Sequence, residues 1–272
     1  MNILDKIVAR KTEEILESKL NRTISDLEKE PLFSKKTISL SQQLVSATTP
    51  QIITEFKRKS PSKGIINANV TPEIVTAGYV RGGAAALSVL TDTDFFGGSF
   101  ADFSKARAAN PTIPMLRKDF MIEEYQLYEA KAIGADIILL IAACLTPATV
   151  RSLAQKAHDL GLEVLLEVHN LEELQETLCD EIDMVGVNNR NLKTFETSIE
   201  TSLELSEHIP ASMVKISESG IDGAATILNL FSNGYKGFLI GETFMKTTDP
   251  GKAFEILQQE LIPTINDPYH EN

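Results

Sequence analysis

A short apolar run, a glycine-bearing polar turn and a stretch of helical periodicity follow one another eight times after residue 50. The runs are continuous rather than alternating, which is typical of parallel strands buried on both faces. They occupy residues 52–56, 85–90, 114–116, 137–142, 163–168, 184–187, 213–216 and 237–240. Eight successive β/α units favour an α/β fold, a single (β/α)8 TIM barrel, over a doubly wound open sheet. The open sheet is the alternative, but no G-x-G-x-x-G fingerprint of dinucleotide binding follows any run.

Helix signals separate the runs. Threonine or aspartate followed by proline begins three of the predicted helices, and glycine stands where four of them end, as in N-caps and C-caps. The predicted helices cover residues 72–81, 100–109, 123–133, 147–160, 171–178, 198–208, 222–233 and 250–262. The N-cap candidates are Thr71, Thr146 and Asp249, and the C-cap candidates are Gly82, Gly134, Gly161 and Gly234.

The start of the chain lacks any strand pattern. Residues 3–20 carry apolar side chains at the period of an amphipathic helix, with charged residues between them. We therefore predict an N-terminal helical extension over residues 1–46, packed on a barrel domain over residues 47–272.

Charge and cysteine content exclude several classes of protein. Acidic residues outnumber basic ones by 38 to 26, and the net charge of −12 opposes binding to nucleic acid or to an anionic membrane. The two cysteines, Cys144 and Cys179, form neither a disulfide framework nor a zinc-ligand spacing. Because the N-terminal segment also lacks the apolar region of a signal peptide, we expect a cytoplasmic protein.

Polar residues close the predicted strands at the end where barrel enzymes carry their active sites. Any one of them alone is more often a surface residue or half of a salt bridge, but equivalent positions on four strands indicate a site. Residues 55 and 57 are two apart, so their side chains share one face of a strand. The side chains at these strand ends are Glu55, Lys57, Lys118, Glu167, Asn188 and Arg190.

The last two strands end in a pattern that favours phosphate binding. Ser219-Gly220 follows the seventh run and Gly241-Glu242 follows the eighth, where many barrels bind phosphate through backbone N–H groups. The basic segment at residues 57–64 is either a solvated loop or a flexible lid over an anionic substrate. His169 has no partner at ligand spacing, and we predict no metal site.

Motifs spread over most of the chain resemble those of the indole-3-glycerol-phosphate synthase family. The resemblance covers residues 1 to 261 in the family's order, and its first motif is nearly diagnostic. The motifs are EFKRKSPSKG, LSVLTD, FFGGS, MLRKDF, LLEVHN, GVNNRNL, ISESGI and LIGETF. The resemblance implies a carboxy-lyase of tryptophan biosynthesis. It closes the indole ring of 1-(2-carboxyphenylamino)-1-deoxyribulose 5-phosphate with loss of CO2 and water, without cofactor or metal.

The resemblance also implies roles for the polar residues. Lys118 is the general acid that protonates the ribulose carbonyl, and apolar walls are expected to lower its pKa. Glu167 is the base or proton shuttle of the dehydration, and Lys57 orients the substrate and supplies a second proton. Glu55 pairs with these lysines. Asn188 and Arg190 complete the polar ring.

The remaining site residues contact the substrate. Phe96 and Phe120 form an aromatic wall for the anthranilate ring, with core packing as their alternative role. The carboxylate of Glu242 is expected to point away from the phosphate dianion, because like charges repel. The phosphate-binding residues are Ser60, Ser219, Gly220, Gly241 and Glu242, and Glu218 and Leu239 complete the substrate-binding set.

Two other functions stay open at this point. Phosphoribosylanthranilate isomerase, another phosphate-binding barrel, uses a Cys and an Asp, but neither Cys144 nor Cys179 follows the first strand. A non-catalytic barrel that only binds a sugar phosphate has no need for the complete Lys, Glu, Asn and Arg set. We expect the protein to act as a monomer, with a weak homodimer as the alternative.

Overall fold

The computed structural model describes residues 3–192 and 194–265, except for the side chains of residues 263–265. Eight parallel strands close into a barrel in chain order, and β8 pairs with β1 to complete the cylinder. The strands are β1 Gln51–Phe56, β2 Ala86–Leu90, β3 Met115–Lys118, β4 Ile137–Ile141, β5 Glu163–Val168, β6 Met184–Asn188, β7 Val214–Glu218 and β8 Tyr235–Ile240. The predicted (β/α)8 barrel is therefore confirmed, and residues 266–272 of the predicted barrel domain lie outside the described residues.

Three strands extend further than their apolar runs. Residues Lys118, Asn188 and Glu218 belong to β3, β6 and β7, whereas the predicted strands ended at residues 116, 187 and 216. A prediction based on apolar runs stops too early here, because polar side chains that pair with one another can occupy a buried strand end.

Helices surround the barrel, and each of the eight predicted barrel helices is present. The helices are α1 Ile3–Asn21, α2 Ile24–Leu27, α3 Leu40–Val45, α4 Pro72–Arg81, α5 Phe100–Ala109, α6 Tyr125–Ala132, α7 Pro147–Asp159, α8 Leu171–Thr177, α9 Glu200–Ser206, α10 Ala224–Ser232, α11 Glu242–Met245 and α12 Pro250–Ile265. The short helix α11 and a 3-10 turn over Ala142–Cys144 were not predicted. A short β-hairpin follows β1, and its two antiparallel strands, Lys59–Ser60 and Gly64–Ile65, have two residues each.

Thr71 and Gly82 occupy the predicted cap positions of α4 but lack the expected cap geometry. Thr71 makes no side-chain capping hydrogen bond, whereas Thr146 accepts one from the backbone N–H of Thr149. Gly82 has an ordinary right-handed conformation, and the left-handed residue that ends α4 is Gly83, with φ of 89°. Gly134, Gly161 and Gly234 have the expected positive φ.

Apolar side chains fill the barrel below its polar end. Inward-pointing residues such as Ile53, Leu139 and Ile216 form one cluster, and outward-pointing strand residues pack against the helices in another. Residues two apart on a strand share a face, so each strand supplies both layers. The interior of the barrel below the strand ends is therefore filled by apolar side chains.

The N-terminal extension contacts both ends of the barrel. Ile3, Leu4 and Ile7 of α1 line the opening at the carboxyl ends of the strands. At the other end, the side chain of Glu163, at the start of β5, accepts hydrogen bonds from the backbone N–H groups of Leu40 and Ser41. Helix α1 thus lies at the opening, and α3 contacts the opposite end of the barrel. Along the described part of the chain, no helix is both long and apolar enough to cross a membrane.

Candidate active site

A cavity of about 670 Å³ opens at the carboxyl ends of the strands. Every residue that the sequence assigned to the site lines this cavity. These residues are Glu55, Lys57, Ser60, Phe96, Lys118, Phe120, Glu167, Asn188, Arg190, Glu218, Ser219, Gly220, Leu239, Gly241 and Glu242. The structure therefore brings together side chains and backbone from strands β1, β3, β5, β6, β7 and β8, from their following loops and, with Phe96, from the loop after β2.

Lys118 occupies the centre of the polar group. Its Nζ lies 2.9 Å from Glu167 Oε2 and 2.6 Å from Glu218 Oε2. The carboxyl ends of the parallel strands lie at one rim of the barrel, so the alternate strands β3, β5 and β7 deliver one cation and two carboxylates to one point. The ammonium group is held between two carboxylates.

The expected lowering of the Lys118 pKa is wrong. Burial does act to lower this pKa, but the carboxylates of Glu167, Glu218 and Glu55 together outweigh burial and raise it above its ordinary value. The sequence-based expectation assumed apolar walls, whereas the walls nearest the ammonium are acidic. Lys118 is therefore a cation throughout the neutral range.

The two carboxylates beside Lys118 differ in ionisation. Burial acts to raise the pKa of Glu167, but the charges of Lys118 and His169 outweigh it and hold that pKa well below its usual range. Burial raises the pKa of Glu218 to about 7, and repulsion from Glu167 adds to the effect despite the opposing charge of Lys118. Titratable neighbours whose pKa values are pushed apart are typical of acid–base sites.

Glu55 and Lys57 point into the same cavity, as their spacing predicted. Lys57 Nζ lies 2.6 Å from Glu55 Oε1, so Glu55 pairs with Lys57, while the ion-pair partners of Lys118 are Glu167 and Glu218. Gly241 makes room for this pair, because a Cβ at that position would lie 2.6 Å from Glu55 Oε1. Close packing against Glu55 is thus a reason for glycine there.

Asn188 and Arg190 continue the polar ring toward the opening. Asn188 Nδ2 donates a hydrogen bond to Glu167 Oε1 at 3.1 Å. Arg190 donates to Ser62 Oγ at 2.8 Å and lies 3.4 Å from Glu242 Oε2. The carboxylate of Glu242 therefore rests against the Arg190 guanidinium, and whether it turns away from a bound phosphate stays a prediction.

The predicted phosphate-binding segments have an unusual backbone. Ser219 and Gly220 both have positive φ, 65° and 69°, and the first of these is a conformation that side chains rarely adopt. Such strained residues persist where the surrounding structure requires them, often at ligand sites. Lys63, from the hairpin loop, lies 3.7 Å from Glu242 and adds a second cation to this side of the opening.

Phe96 and Phe120 form a continuous aromatic surface. Their ring centroids are 5.9 Å apart with an interplanar angle of 40°. The backbone N–H of Phe96 donates to Asp92 Oδ1, and that of Phe120 donates to Asp119 Oδ1. Lys11, which is buried in α1, pairs with Asp92 at 3.0 Å and with Asp119 at 2.9 Å. The N-terminal helix thereby anchors both loops of the aromatic wall.

Comparisons with known proteins give the family of this chain. The family model for indole-3-glycerol phosphate synthase matches residues 4–257. This chain belongs to the indole-3-glycerol phosphate synthase family. Among its relatives, indole-3-glycerol phosphate synthase of Bacteroides thetaiotaomicron is 46% identical over 93% of this chain and 96% of its own length. The protein of the same name from Polynucleobacter asymbioticus is 43% identical over 94% and 98%.

Solved structures that resemble this chain support the barrel fold alone. 3-Hexulose-6-phosphate synthase from Salmonella typhimurium has a TM-score of 0.63 at 12% identity, with 78% of this chain and 99% of that chain covered. Tryptophan synthase subunit alpha from Legionella pneumophila has a TM-score of 0.59 at 12% identity, with 84% and 97% covered. At such low identity the family assignment rests on the sequence relatives.

In this member of the indole-3-glycerol phosphate synthase family, sequence reasoning considered His169 only as a metal ligand and missed its contact with Glu167. His169 Nε2 lies 3.3 Å from Glu167 Oε1, and the side chain is buried. The signal was available, because His169 follows Glu167 by the same two-residue step that joins Glu55 to Lys57. In the described ranges, 3–192 and 194–265, no group of three or more His, Cys, Asp or Glu residues is arranged to hold a metal ion.

Proposed function

We propose that this chain closes the indole ring of 1-(2-carboxyphenylamino)-1-deoxyribulose 5-phosphate with loss of CO2 and water, a step of tryptophan biosynthesis. Lys118 between two carboxylates of different ionisation is the observation that carries the proposal, since it offers a proton donor and a proton acceptor in one cavity. Membership of the indole-3-glycerol phosphate synthase family supports the substrate class.

Lys118 protonates the substrate's ketone oxygen as the anthranilate ring carbon attacks that carbonyl. The oxygen becomes strongly basic while the carbon–carbon bond forms, so even an ammonium with a raised pKa transfers its proton to it. Loss of CO2 leaves its bonding electron pair in the ring and restores aromaticity. A cation beside the developing alkoxide also stabilises this charge electrostatically.

Glu167 and Lys57 then act in the dehydration. Lys57 gives a proton to the departing hydroxyl group, and Glu167 accepts the proton released from the adjacent carbon as the indole double bond forms. The low pKa of Glu167 keeps its carboxylate ionised before this step. Glu55 fixes Lys57 through their 2.6 Å ion pair, and Asn188 fixes Glu167 through its hydrogen bond to Oε1.

The rest of the cavity binds the two ends of the substrate. The apolar faces of Phe96, Phe120 and Leu239 suit the anthranilate ring. At the other end, Ser60 Oγ and the backbone N–H groups around Gly220 bind the phosphate. Arg190 supplies positive charge there.

We assign Ser219 and the backbone of Gly241 and Glu242 to the same phosphate site. Glu218 binds the sugar hydroxyl groups beside Lys118. The chain works without a cofactor, as a monomer in the cytoplasm, and its two described cysteines carry free thiols, consistent with a reducing compartment. Residues 1–46 form the covering extension and residues 47–272 the catalytic barrel.

Product formation tests the proposed function. The purified chain is mixed with the anthranilate-ribulose phosphate, and indole fluorescence and released CO2 are followed together; the chain has no Trp to contribute background. Equal amounts of indole product and CO2 are expected. Binding of the substrate without either product would indicate a non-catalytic sugar-phosphate barrel, and conversion of phosphoribosylanthranilate instead would indicate the isomerase.

A further inference from the structure

The imidazole of His169 is buried against the carboxyl group of Glu167. The residue follows strand β5, and its side chain is 7% exposed. Nε2 lies 3.3 Å from Glu167 Oε1, so the two side chains form an ion pair. The angle between them is not that of a hydrogen bond. His169 is not among the residues that line the cavity. It can therefore act on the substrate only through Glu167.

Glu173 fixes the ring of His169 from its other side. Glu173 Oε2 lies 3.1 Å from His169 Nδ1 and accepts the backbone N–H of His169 at 2.8 Å. Glu173 is itself held in the first turn of α8, where Asn170 Nδ2 donates to its Oε1 and Asn170 Oδ1 accepts its backbone N–H. Glu173, His169 and Glu167 therefore form a row of carboxylate, imidazole and carboxylate between α8 and the catalytic cavity.

The groups that face this imidazole favour its charged form. Burial acts to lower the pKa of His169, but Glu167 and Glu173 outweigh it and raise that pKa to about 9. From the turn after β4, the thiol of Cys144 faces the same carboxylates; burial and those two charges raise its pKa to about 12. Cys144 is therefore uncharged at neutral pH, and His169 is a buried cation beside Glu167.

We propose that His169 is a positioning residue that keeps Glu167 ionised and holds its Oε1, so that Oε2 is left to Lys118 and the substrate. Asn188 contacts the same Oε1 at 3.1 Å, and Lys118 lies 2.9 Å from Oε2. Two fixed contacts on one oxygen restrict rotation of the carboxyl group and direct the other oxygen to the reacting atoms. The proposal rests on the proposed role of Glu167 as proton acceptor.

The pH dependence of kcat in His169→Asn tests this role. Without the cation, the pKa of Glu167 rises, so we expect the acidic limb of the profile to move by about one pH unit or more to higher pH. kcat at that limb should fall about tenfold or more while KM changes little. Glu173→Gln, which removes the charge that orients the ring, should move the limb in the same direction.

His158→Asn is the matched control, because His158 also pairs with a carboxylate, Asp183 at 2.9 Å, but lies outside the cavity lining. Its profile should match the unaltered chain. An unshifted acidic limb in a folded His169→Asn variant would overturn the proposal.

Imidazole ¹⁵N NMR provides a second readout that does not depend on activity. In the unaltered chain His169 should titrate well above the ordinary histidine pKa of 6.5, and in Glu167→Gln its pKa should fall. A His169 that titrates near 6.5 in both proteins contradicts the proposal, even if His169→Asn fails to fold. Near-normal turnover of Glu167→Gln would instead refute the proposed function of Glu167, so the two failures are distinguishable.

Discussion

Replacing Lys11 with methionine should destabilise the protein by about 3 kcal/mol, because it leaves two buried carboxylates without their shared cation. Lys11 is 4% exposed, Asp92 is 0% and Asp119 is 3% exposed. Lys11 Nζ lies 3.0 Å from Asp92 and 2.9 Å from Asp119. Breaking a buried ion pair by removing one partner costs about 3–5 kcal/mol.

The lower end of that range applies because both carboxylates keep other partners. Asp119 remains 3.1 Å from Arg117, and Asp92 still accepts the backbone N–H groups of Phe95 and Phe96. Burial acts to raise the pKa of Asp119, but Arg117 and Lys11 outweigh it and lower that pKa to about 2. In Lys11→Met, part of this lowering is lost.

Urea unfolding followed by circular dichroism at several pH values measures the effect. The deficit of Lys11→Met should shrink as the pH falls toward 4, because the Asp119 carboxylate, whose pKa is no longer lowered by Lys11, can then take up a proton and lose its charge. Lys6→Met, an exposed lysine of the same helix, should change the free energy of unfolding by less than about 0.5 kcal/mol. A deficit below about 1 kcal/mol, or one that is independent of pH, would refute the reasoning.

Three further changes test the site. Gly241→Ala should lower kcat at least about tenfold with the fold retained, because its Cβ would lie 2.6 Å from Glu55 Oε1. Gly223→Ala is the control: its Cβ would meet no atom within 4 Å, so its steady-state kinetics should match those of the unaltered chain. The folded-state pKa of Glu218 is raised from 4.5 to about 7, so the stability that this group contributes is present below pH 4.5 and lost as the pH rises through 7. In urea titrations, Glu218→Gln should remove this fall in the free energy of unfolding between pH 4.5 and 7. Glu242→Gln removes a negative charge 3.4 Å from Arg190, so KM for the phosphorylated substrate should fall severalfold, and a higher KM would contradict the placement of the phosphate.

The barrel and the location of its site could be predicted from the sequence, because both depend on local patterns. Continuous apolar runs indicate strands buried on both faces, and the residues that end those runs must meet at one rim once the strands are parallel. The pairing of Glu55 with Lys57 follows from the same geometry, since side chains two apart share a face.

The sign of the Lys118 pKa shift could not be predicted in this way. It depends on Glu167 and Glu218 approaching one ammonium from strands far apart in the chain, a balance of burial against charge that no local pattern contains. The positions of the N-terminal helices on the barrel also could not be predicted from the sequence. The ion pairs of Lys11 with Asp92 and Asp119, and the contact of Leu40 with Glu163, join segments that are distant in sequence.

A single-turnover measurement on Lys118→Ala tests the central claim, that the Lys118 ammonium group held between Glu167 and Glu218 donates the proton for ring closure. The rate of indole formation should fall by about 10²–10⁴, while the Kd for the substrate changes far less. Lys118→Arg, which keeps the charge but cannot give up its proton, should be similarly slow. Lys215→Ala is the control. Lys215 is a strand lysine that donates to the Ser206 carbonyl and does not line the cavity, so this variant should form indole at the normal rate. Indole formation by folded Lys118→Ala at nearly the normal rate would contradict the account.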